Sequence, residues 1–302
     1  MTGHIISVDQ FSRDWISSLF TLADTMPDMR ASNETPLKNK ILANLFFEAS
    51  TRSRMSFASA FMMLGGQVNS TTGVTFSSIS KGESLEDTIR VISDYCDVLV
   101  IRHPEIGAAK TAASVSKVPV INAGDGPGEH PTQALLDLYT IYKEKSQLNN
   151  LNITMVGDLK YGRTVHSLAK LLALYENINF IFAAPDAIQI PQKILDYIQE
   201  KGGTFQVTSD FKGAIKDADI IYTTRIQKER FNSPEDAEKV EGSYTINRAL
   251  ITEHCQSDVT IMHPLPRTTE IHPDVDTLPN AAYFRRAENG LYLRMGLFLE
   301  TI

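Results

Sequence analysis

Two hydroxyls, an arginine and a third hydroxyl stand in a row in Phe46-Phe47-Glu48-Ala49-Ser50-Thr51-Arg52-Ser53-Arg54. The apolar run before them, residues 41–47, reads as a buried strand. Beyond them Phe57, Phe61 and Leu64 recur at i, i+4 and i+7, the spacing of one helix face. Ser50 or Thr51 then supplies the N-cap, with Arg52 and Ser53 in the first turn. A helix N-terminus presents unpaired N–H groups and a partial positive charge, and so suits an anion. Hydroxyl donors and a guanidinium beside it make phosphate the fitting guest. Taken alone, the stretch also fits an ordinary capped helix with a solvated arginine.

Other polar groups fall at similar places. Arg102 ends a strand read at 97–101. His130 precedes the helix-starting Pro131 and follows Gly124-Asp125-Gly126-Pro127-Gly128, a flexible, turn-rich loop, with Gln133 three residues on. Arg163 ends the loop Asp158-Leu159-Lys160-Tyr161-Gly162-Arg163, which lacks the G-x-G-x-x-G spacing of a dinucleotide site. Arg225 ends a strand at 220–223, and Gln227 follows it. Two arginines at strand ends of one domain suit a dicarboxylate, because guanidinium pairs with carboxylate as a bidentate fork. His263-Pro264-Leu265-Pro266-Arg267 follows a strand at 259–262. No histidine or cysteine pair has zinc-ligand spacing, so no metal is expected.

The elements that must position these groups alternate strand and helix, which signals α/β architecture with parallel sheets. Strands are read at 41–47, 67–71, 97–101 and 118–122, then at 152–156, 180–184, 205–208, 220–223 and 259–262. Helices are read at 131–143, 165–175, 192–200 and 288–302, the first with a stripe of Leu135, Tyr139 and Tyr142. Two domains of similar size result, divided within or just after the 131–143 helix. In open α/β sheets ligands bind beyond the carboxyl ends of strands, where every polar group named above falls. A single cleft between the two domains is the expected site.

The 302 residues suffice for two cores. A formal net charge of −7 without any basic run argues against a nucleic-acid partner. Cys96 and Cys255 are far apart and read as free thiols of a reducing compartment. No segment has the apolar length of a membrane span, and residues 1–5 lack a signal-peptide start, so a cytoplasmic location is expected.

Ser-Thr-Arg-Ser, His-Pro-Thr-Gln and His-Pro-Leu-Pro-Arg, in this order, resemble the aspartate and ornithine carbamoyltransferase family, from about Leu42 to the C-terminus. The resemblance implies transfer of the carbamoyl group of carbamoyl phosphate to an amine, without cofactor, metal or protein nucleophile. It implies a carbamoyl-phosphate-binding domain over 1–135, completed by the C-terminal helix at 286–302. An amino-acid-binding domain spans 150–285, and 136–149 is the linking helix region. Ser50, Thr51, Arg52 and Ser53 would hold the phosphate; the family usually has Thr where this chain has Ser53. Thr51, Arg102 and His130 would meet the carbonyl oxygen, and Gln133 the carbamoyl NH2. Ser77 and Lys81, in a loop that sequence alone reads as mobile surface, would reach the neighbouring subunit's site in a homotrimer. Lys81 would touch both substrates.

Arg163, Arg225 and Gln227 match the aspartate branch. Pro264 replaces the cysteine of the ornithine branch, and no Ser-Met-Gly motif is present. The implied product is N-carbamoyl-L-aspartate, in the committed step of pyrimidine synthesis. Leu265 and Pro266, through a cis peptide, would complete the aspartate site, with the Leu265 carbonyl turned to the attacking amine. Glu48 would pair with Arg163 and Arg230 on domain closure. Any regulatory chain would be a separate polypeptide. A carbamoyltransferase for another amino acid, or a non-catalytic member of the fold, are the rival readings.

Overall fold

The computed structural model describes residues 3–72, 81–226 and 244–302. In chain order the principal elements are α1 (Arg13–Ala31), β1 (Ile41–Phe46), α2 (Thr51–Met63), β2 (Gln67–Thr72), α3 (Leu85–Ile92), β3 (Val98–His103), α4 (Ala108–Val115), β4 (Val120–Asp125) and α5 (Pro131–Lys145). There follow β5 (Leu151–Val156), α6 (Arg163–Leu172), β6 (Ile178–Ala183), α7 (Gln192–Glu200), β7 (Thr204–Thr208), α8 (Phe211–Ile215), β8 (Ile220–Thr223), α9 (Arg248–His254), β9 (Thr260–Met262) and α10 (Arg285–Thr301). The chain divides into two units, Met1–Tyr139 with Glu288–Ile302, and Thr140–Ala287.

The first unit is built on a sheet of order β2-β1-β3-β4, with every pairing parallel. β3 and β4 are buried throughout and β1 nearly so, as strands covered on both faces by helices must be. β2, Gln-Val-Asn-Ser-Thr-Thr, is the polar edge, largely open to solvent. The apolar stripe of α2 is real: Phe57, Phe61 and Leu64 are fully buried. Phe298 of α10 meets Phe57 and Phe61 edge-on, with ring centroids 5.9 and 4.9 Å away. Such contacts contribute about 0.5–1.5 kcal/mol each beyond area burial. Arg294 lies over the Phe57 ring and donates to Ser56 Oγ at 2.8 Å. At the other end, buried Asn44 of β1 donates to the Arg54 carbonyl at 3.0 Å. The N-terminus of α2 is thus fixed against the sheet.

The second unit carries a parallel sheet of order β7-β6-β5-β8-β9. One of its core clusters includes Val156, Ile215, Ile221, Ile246, Ile261, Ile271 and Tyr283.

The structure departs from the sequence reading in two elements. α1 is absent from the sequence reading, although Ile16, Leu19, Phe20, Ala23 and Met26 line one buried face at helical spacing ahead of Pro27, which lies inside the helix. The expected stripe on α5 is too narrow. Residues 131–141 are all buried, so the helix has no polar face there, and Tyr142 is only half-buried.

Candidate active site

In each sheet the chain leaves a central strand in both directions. Neighbouring strands then feed their following loops to opposite sides and open a crevice at their carboxyl ends. In the first unit this switch point lies between β1 and β3. Phe46 is in register with Arg102, and His103 with Asp125 of β4. The segments carrying Ser50–Ser53, Arg102 and His130 therefore leave adjacent strands at the same edge.

Ser50 is the N-cap of α2, extended at φ −162°, and its hydroxyl makes no capping hydrogen bond. A capping serine that leaves this role open has its oxygen available to a ligand. Thr51 and Arg52 stand exposed in the first turn, and Ser53 is buried beside them. Arg102 is 9% exposed, and its NH1 donates to the Ala123 carbonyl at 3.2 Å. Its NH2 meets Glu48 Oε2 at 3.0 Å. The Arg102 carbonyl in turn accepts the Phe47 N–H at 2.8 Å. Glu48 meets Arg102 through this pair, and Arg230, one of its expected closure partners, lies outside the described residues.

The loop before His130, read as flexible, is strapped. Asp125 accepts the Gly107 N–H through Oδ2 and the Glu129 N–H through Oδ1, both at 2.9 Å. Gly126 adopts φ +52°, and a side chain there would meet the Pro104 carbonyl oxygen at 2.2 Å. Only glycine satisfies both constraints. His130 itself is 3% exposed, with Nδ1 3.4 Å from Thr132 Oγ1. Gln133 Nε2 reaches both carboxylate oxygens of Asp137 at 3.1 Å. A carboxylate accepts only, so the amide's nitrogen is committed to Asp137 and its carbonyl oxygen faces away. Lys81 is exposed, and Ser77 lies outside the described residues.

In the second unit the switch point lies between β5 and β8. Buried Asp158 accepts the Tyr161 N–H at 2.9 Å, and His166 Nε2 is 2.7 Å from the Leu159 carbonyl. The loop so shaped delivers half-buried Arg163 as the first residue of α6. Burial drives the His166 pKa down to about 4, helped by Lys193 and Lys170 and opposed by the Leu159 bond, so its Nε2 carries a proton and donates.

Arg225 follows a clamped Thr224. The Thr224 N–H donates to Val156, and its carbonyl accepts the Tyr244 hydroxyl at 2.8 Å. Gly157 lies beneath at φ +116°, where a Cβ would come 2.3 Å from that carbonyl oxygen. Gln227 lies outside the described residues. After β9, Leu265–Pro266 is cis and Leu265 has φ +55°. Sequence reasoning missed Asp137, Tyr244, His263 and Glu270. Only Asp137 left a signal, as a carboxylate one helical turn from Gln133.

The donors gathered in these two places can bind anions and polarise a carbonyl. Burial raises both free thiols, Cys96 and Cys255, to about 11, so neither is a thiolate near neutrality. Among the described residues no group of three or more His, Cys, Asp or Glu is placed to hold a metal, and no helix is long and apolar enough to cross a membrane.

Comparison with known proteins covers both units. The carbamoyl-P binding domain of aspartate/ornithine carbamoyltransferase matches residues 3–143, and the Asp/Orn binding domain matches residues 149–301. The aspartate carbamoyltransferase catalytic subunit of Methanopyrus kandleri is 49% identical over 295 residues, 97% of this chain and 95% of its own. The catalytic subunit of the M. jannaschii aspartate transcarbamoylase superposes with a TM-score of 0.91 at 45% identity, covering 98% of this chain and 97% of that one. The Trypanosoma cruzi aspartate transcarbamoylase, solved with carbamoyl phosphate and aspartate, superposes with a TM-score of 0.93 at 42% identity, covering 99% and 97%. With domain matches spanning nearly all of its length and relatives at this identity, the chain belongs to the aspartate/ornithine carbamoyltransferase family.

Proposed function

We propose that this protein is an aspartate carbamoyltransferase catalytic chain. It transfers the carbamoyl group of carbamoyl phosphate to the amine of L-aspartate, giving N-carbamoyl-L-aspartate and phosphate for pyrimidine synthesis. The observation that carries the reading is the uncommitted Ser50 cap of α2, which follows a strand ending in register with Arg102 at the first switch point. That arrangement suits a phosphate ester whose carbonyl must also be polarised.

In this reading Ser50, Thr51, Arg52 and Ser53 receive the phosphate at the positive end of α2. Thr51, Arg102 and His130 donate to the carbonyl oxygen, and the Gln133 carbonyl oxygen accepts from the carbamoyl NH2. The aspartate amine attacks the carbonyl carbon with its lone pair, and charge collects on the oxygen those donors face. The bond to the phosphate oxygen breaks, and phosphate leaves with the electron pair. The Leu265 carbonyl accepts a hydrogen bond from the amine as it attacks, and the amine's proton departs with the phosphate. Arg163, Arg225 and Gln227 hold the aspartate carboxylates, Pro266 shapes that end of the site, and Arg102 exchanges Glu48 for substrate. Positioning and preorganised donors supply the rate.

The functional unit is a cytoplasmic homotrimer in which Ser77 and Lys81 serve the neighbouring subunit's site, Lys81 touching both substrates. On closure Glu48 pairs with Arg163 and Arg230. Any regulatory chain is a separate polypeptide.

Phosphate release from carbamoyl phosphate, measured with aspartate and separately with ornithine, tests the substrate. Turnover with aspartate alone is expected. Equal turnover of both would remove the branch assignment.

A further inference from the structure

Six residues other than glycine have positive φ among the described residues: Asn33, Asn39, Ser146, Asn150, Asn177 and Leu265. Asparagine tolerates the left-handed region because its short polar side chain bonds locally. Leucine does not, and its side chain pays a steric penalty there. Leu265 is the one apolar residue of the six, and something must hold it.

A buried histidine holds it. The Leu265 N–H donates to His263 Nδ1 at 2.7 Å. His263 is fully buried, and its Nε2 lies 2.7 Å from Glu270 Oε1. A nitrogen that accepts an N–H has no proton, so the imidazole carries its proton on Nε2 and donates it to Glu270. Glu270, 4% exposed, accepts in addition from the Thr268 N–H and, at 2.8 Å, from the Thr268 hydroxyl. The segment from His263 to Glu270 is wound on its own two buried side chains. Around the imidazole, Glu270 favours its charged form, while burial, Arg286 and Arg267 oppose it and keep it neutral. None of these bonds is a contact of the reaction proposed above, so the machinery described so far leaves His263 and Glu270 without a role.

We propose that His263 is a positioning residue for carbamoyl transfer: with its tautomer fixed by Glu270, its Nδ1 holds Leu265 in the left-handed conformation that aims the Leu265 carbonyl. The inference rests on the reading that this carbonyl meets the attacking amine. The imidazole acts entirely through the backbone of its second neighbour and exchanges no proton with substrate.

Two substitutions separate the ring nitrogens. In His263→Asn the amide oxygen falls near the place of Nδ1 and can still accept the Leu265 N–H. In His263→Gln the amide nitrogen falls near the place of Nε2, which keeps Glu270 and abandons Leu265. Both lose packing alike, so urea midpoints should fall by similar amounts. Activity should not fall alike. His263→Asn is expected to keep kcat within about 10-fold of the parent, while His263→Gln loses about 100-fold, the order of effect of a misplaced reacting group. The KM for carbamoyl phosphate should hold in both. Equal losses, or a larger loss in His263→Asn, would overturn the proposal.

A second measurement does not depend on either variant folding or on turnover. In 13C,15N-labelled protein with each imidazole assigned through its own backbone, the His263 ring must show a protonated Nε2 and a bare Nδ1 at pH 7. The opposite tautomer or an imidazolium would overturn the brace. Absence of aspartate turnover in the parent protein would instead remove the activity reading and leave the tautomer result standing.

Discussion

The two switch points solve the problem of holding an anion in different ways. In the first unit the proposed phosphate site is a helix end: backbone N–H groups, a capping hydroxyl and first-turn side chains, all set by the burial of Phe57 and Phe61 on the far side of α2. In the second unit Arg163 opens α6 and Arg225 follows β8, and the approach to each is shaped by a side chain bonded to backbone. Asp158 and His166 shape the approach to Arg163, Tyr244 clamps the residue before Arg225, and His263 holds Leu265. The first design is preorganised by secondary structure and core packing. The second rests on individual hydrogen bonds, so the expected consequence of losing one is a misaimed site in a standing fold. On the proposed reading the phosphate is met by a helix end held by core packing, and the amino acid by segments held by individual hydrogen bonds.

The largest test of that division is a pair of alanine substitutions. Arg52→Ala removes a charged donor from the phosphate end and is expected to lower kcat/KM by roughly 10³-fold, about 4 kcal/mol. It should leave the melting temperature unchanged, because the side chain is exposed. Arg225→Ala should act chiefly on the KM for aspartate, raising it roughly 10–100-fold with a smaller change in kcat. Steady-state kinetics in both substrates reads the split. If Arg52→Ala altered only the aspartate KM, the assignment of the two ends would be reversed.

Acid should find the loop-built unit first. His166 is neutral in the fold, with its pKa driven by burial from 6.5 to about 4. Below pH 6.5 the unfolded chain takes up a proton that the folded chain refuses until about pH 4, so stability falls as pH falls through that window. The slope from one such group is about 1.4 kcal/mol per pH unit. His166→Gln keeps a donor for the Leu159 carbonyl and removes the titration. Between pH 7 and 4.5 the parent should lose about 2–3 kcal/mol more than the variant in urea unfolding. Parallel losses would mean that His166 takes up its second proton as readily in the fold as in the unfolded chain, and that burial does not keep it neutral.

The same contrast explains what the sequence made legible. The strand at 41–47, the stripe of Phe57, Phe61 and Leu64 and the hydroxyl-rich cap are local signals, and they led to α2 with its first turn intact. β8 and α7 were read to the residue, because their apolar periods are short and cleanly bounded. α1 carries a legible period, complete before Pro27, that the sequence reading passes over, and the stripe on α5 is drawn too narrow because a helix buried on every side has no amphipathic signature. The braces join residues that no spacing rule connects: in the second unit Tyr244 acts 20 positions from Thr224, and in the first Asp125 reaches back 18 to Gly107. His263 and Glu270 are only seven apart, yet nothing in their types announces that the histidine serves a neighbouring N–H.

The smallest expected effect asks whether the first unit also relies on one tuned bond. Gln133 is oriented by Asp137, whose two oxygens both accept from its Nε2 within a fully buried turn of α5. With a carboxylate there, only one amide orientation satisfies the pair. Asp137→Asn supplies a donor as well as an acceptor, so both orientations of the Gln133 amide become bonded and the preference disappears. Half of the population would then present NH2 where an acceptor for the carbamoyl group is required. Together with looser positioning of the carbonyl, this should cost about 10-fold in kcat/KM, or 1.4 kcal/mol. Inorganic phosphate binding, which does not involve Gln133, should be unchanged by calorimetry. An unchanged kcat/KM would show that the Gln133 amide has no preferred face in the reaction. A loss of phosphate affinity as large as the loss of activity would show that Asp137 supports the end of α2 as well, and that the first unit shares the vulnerability of the second.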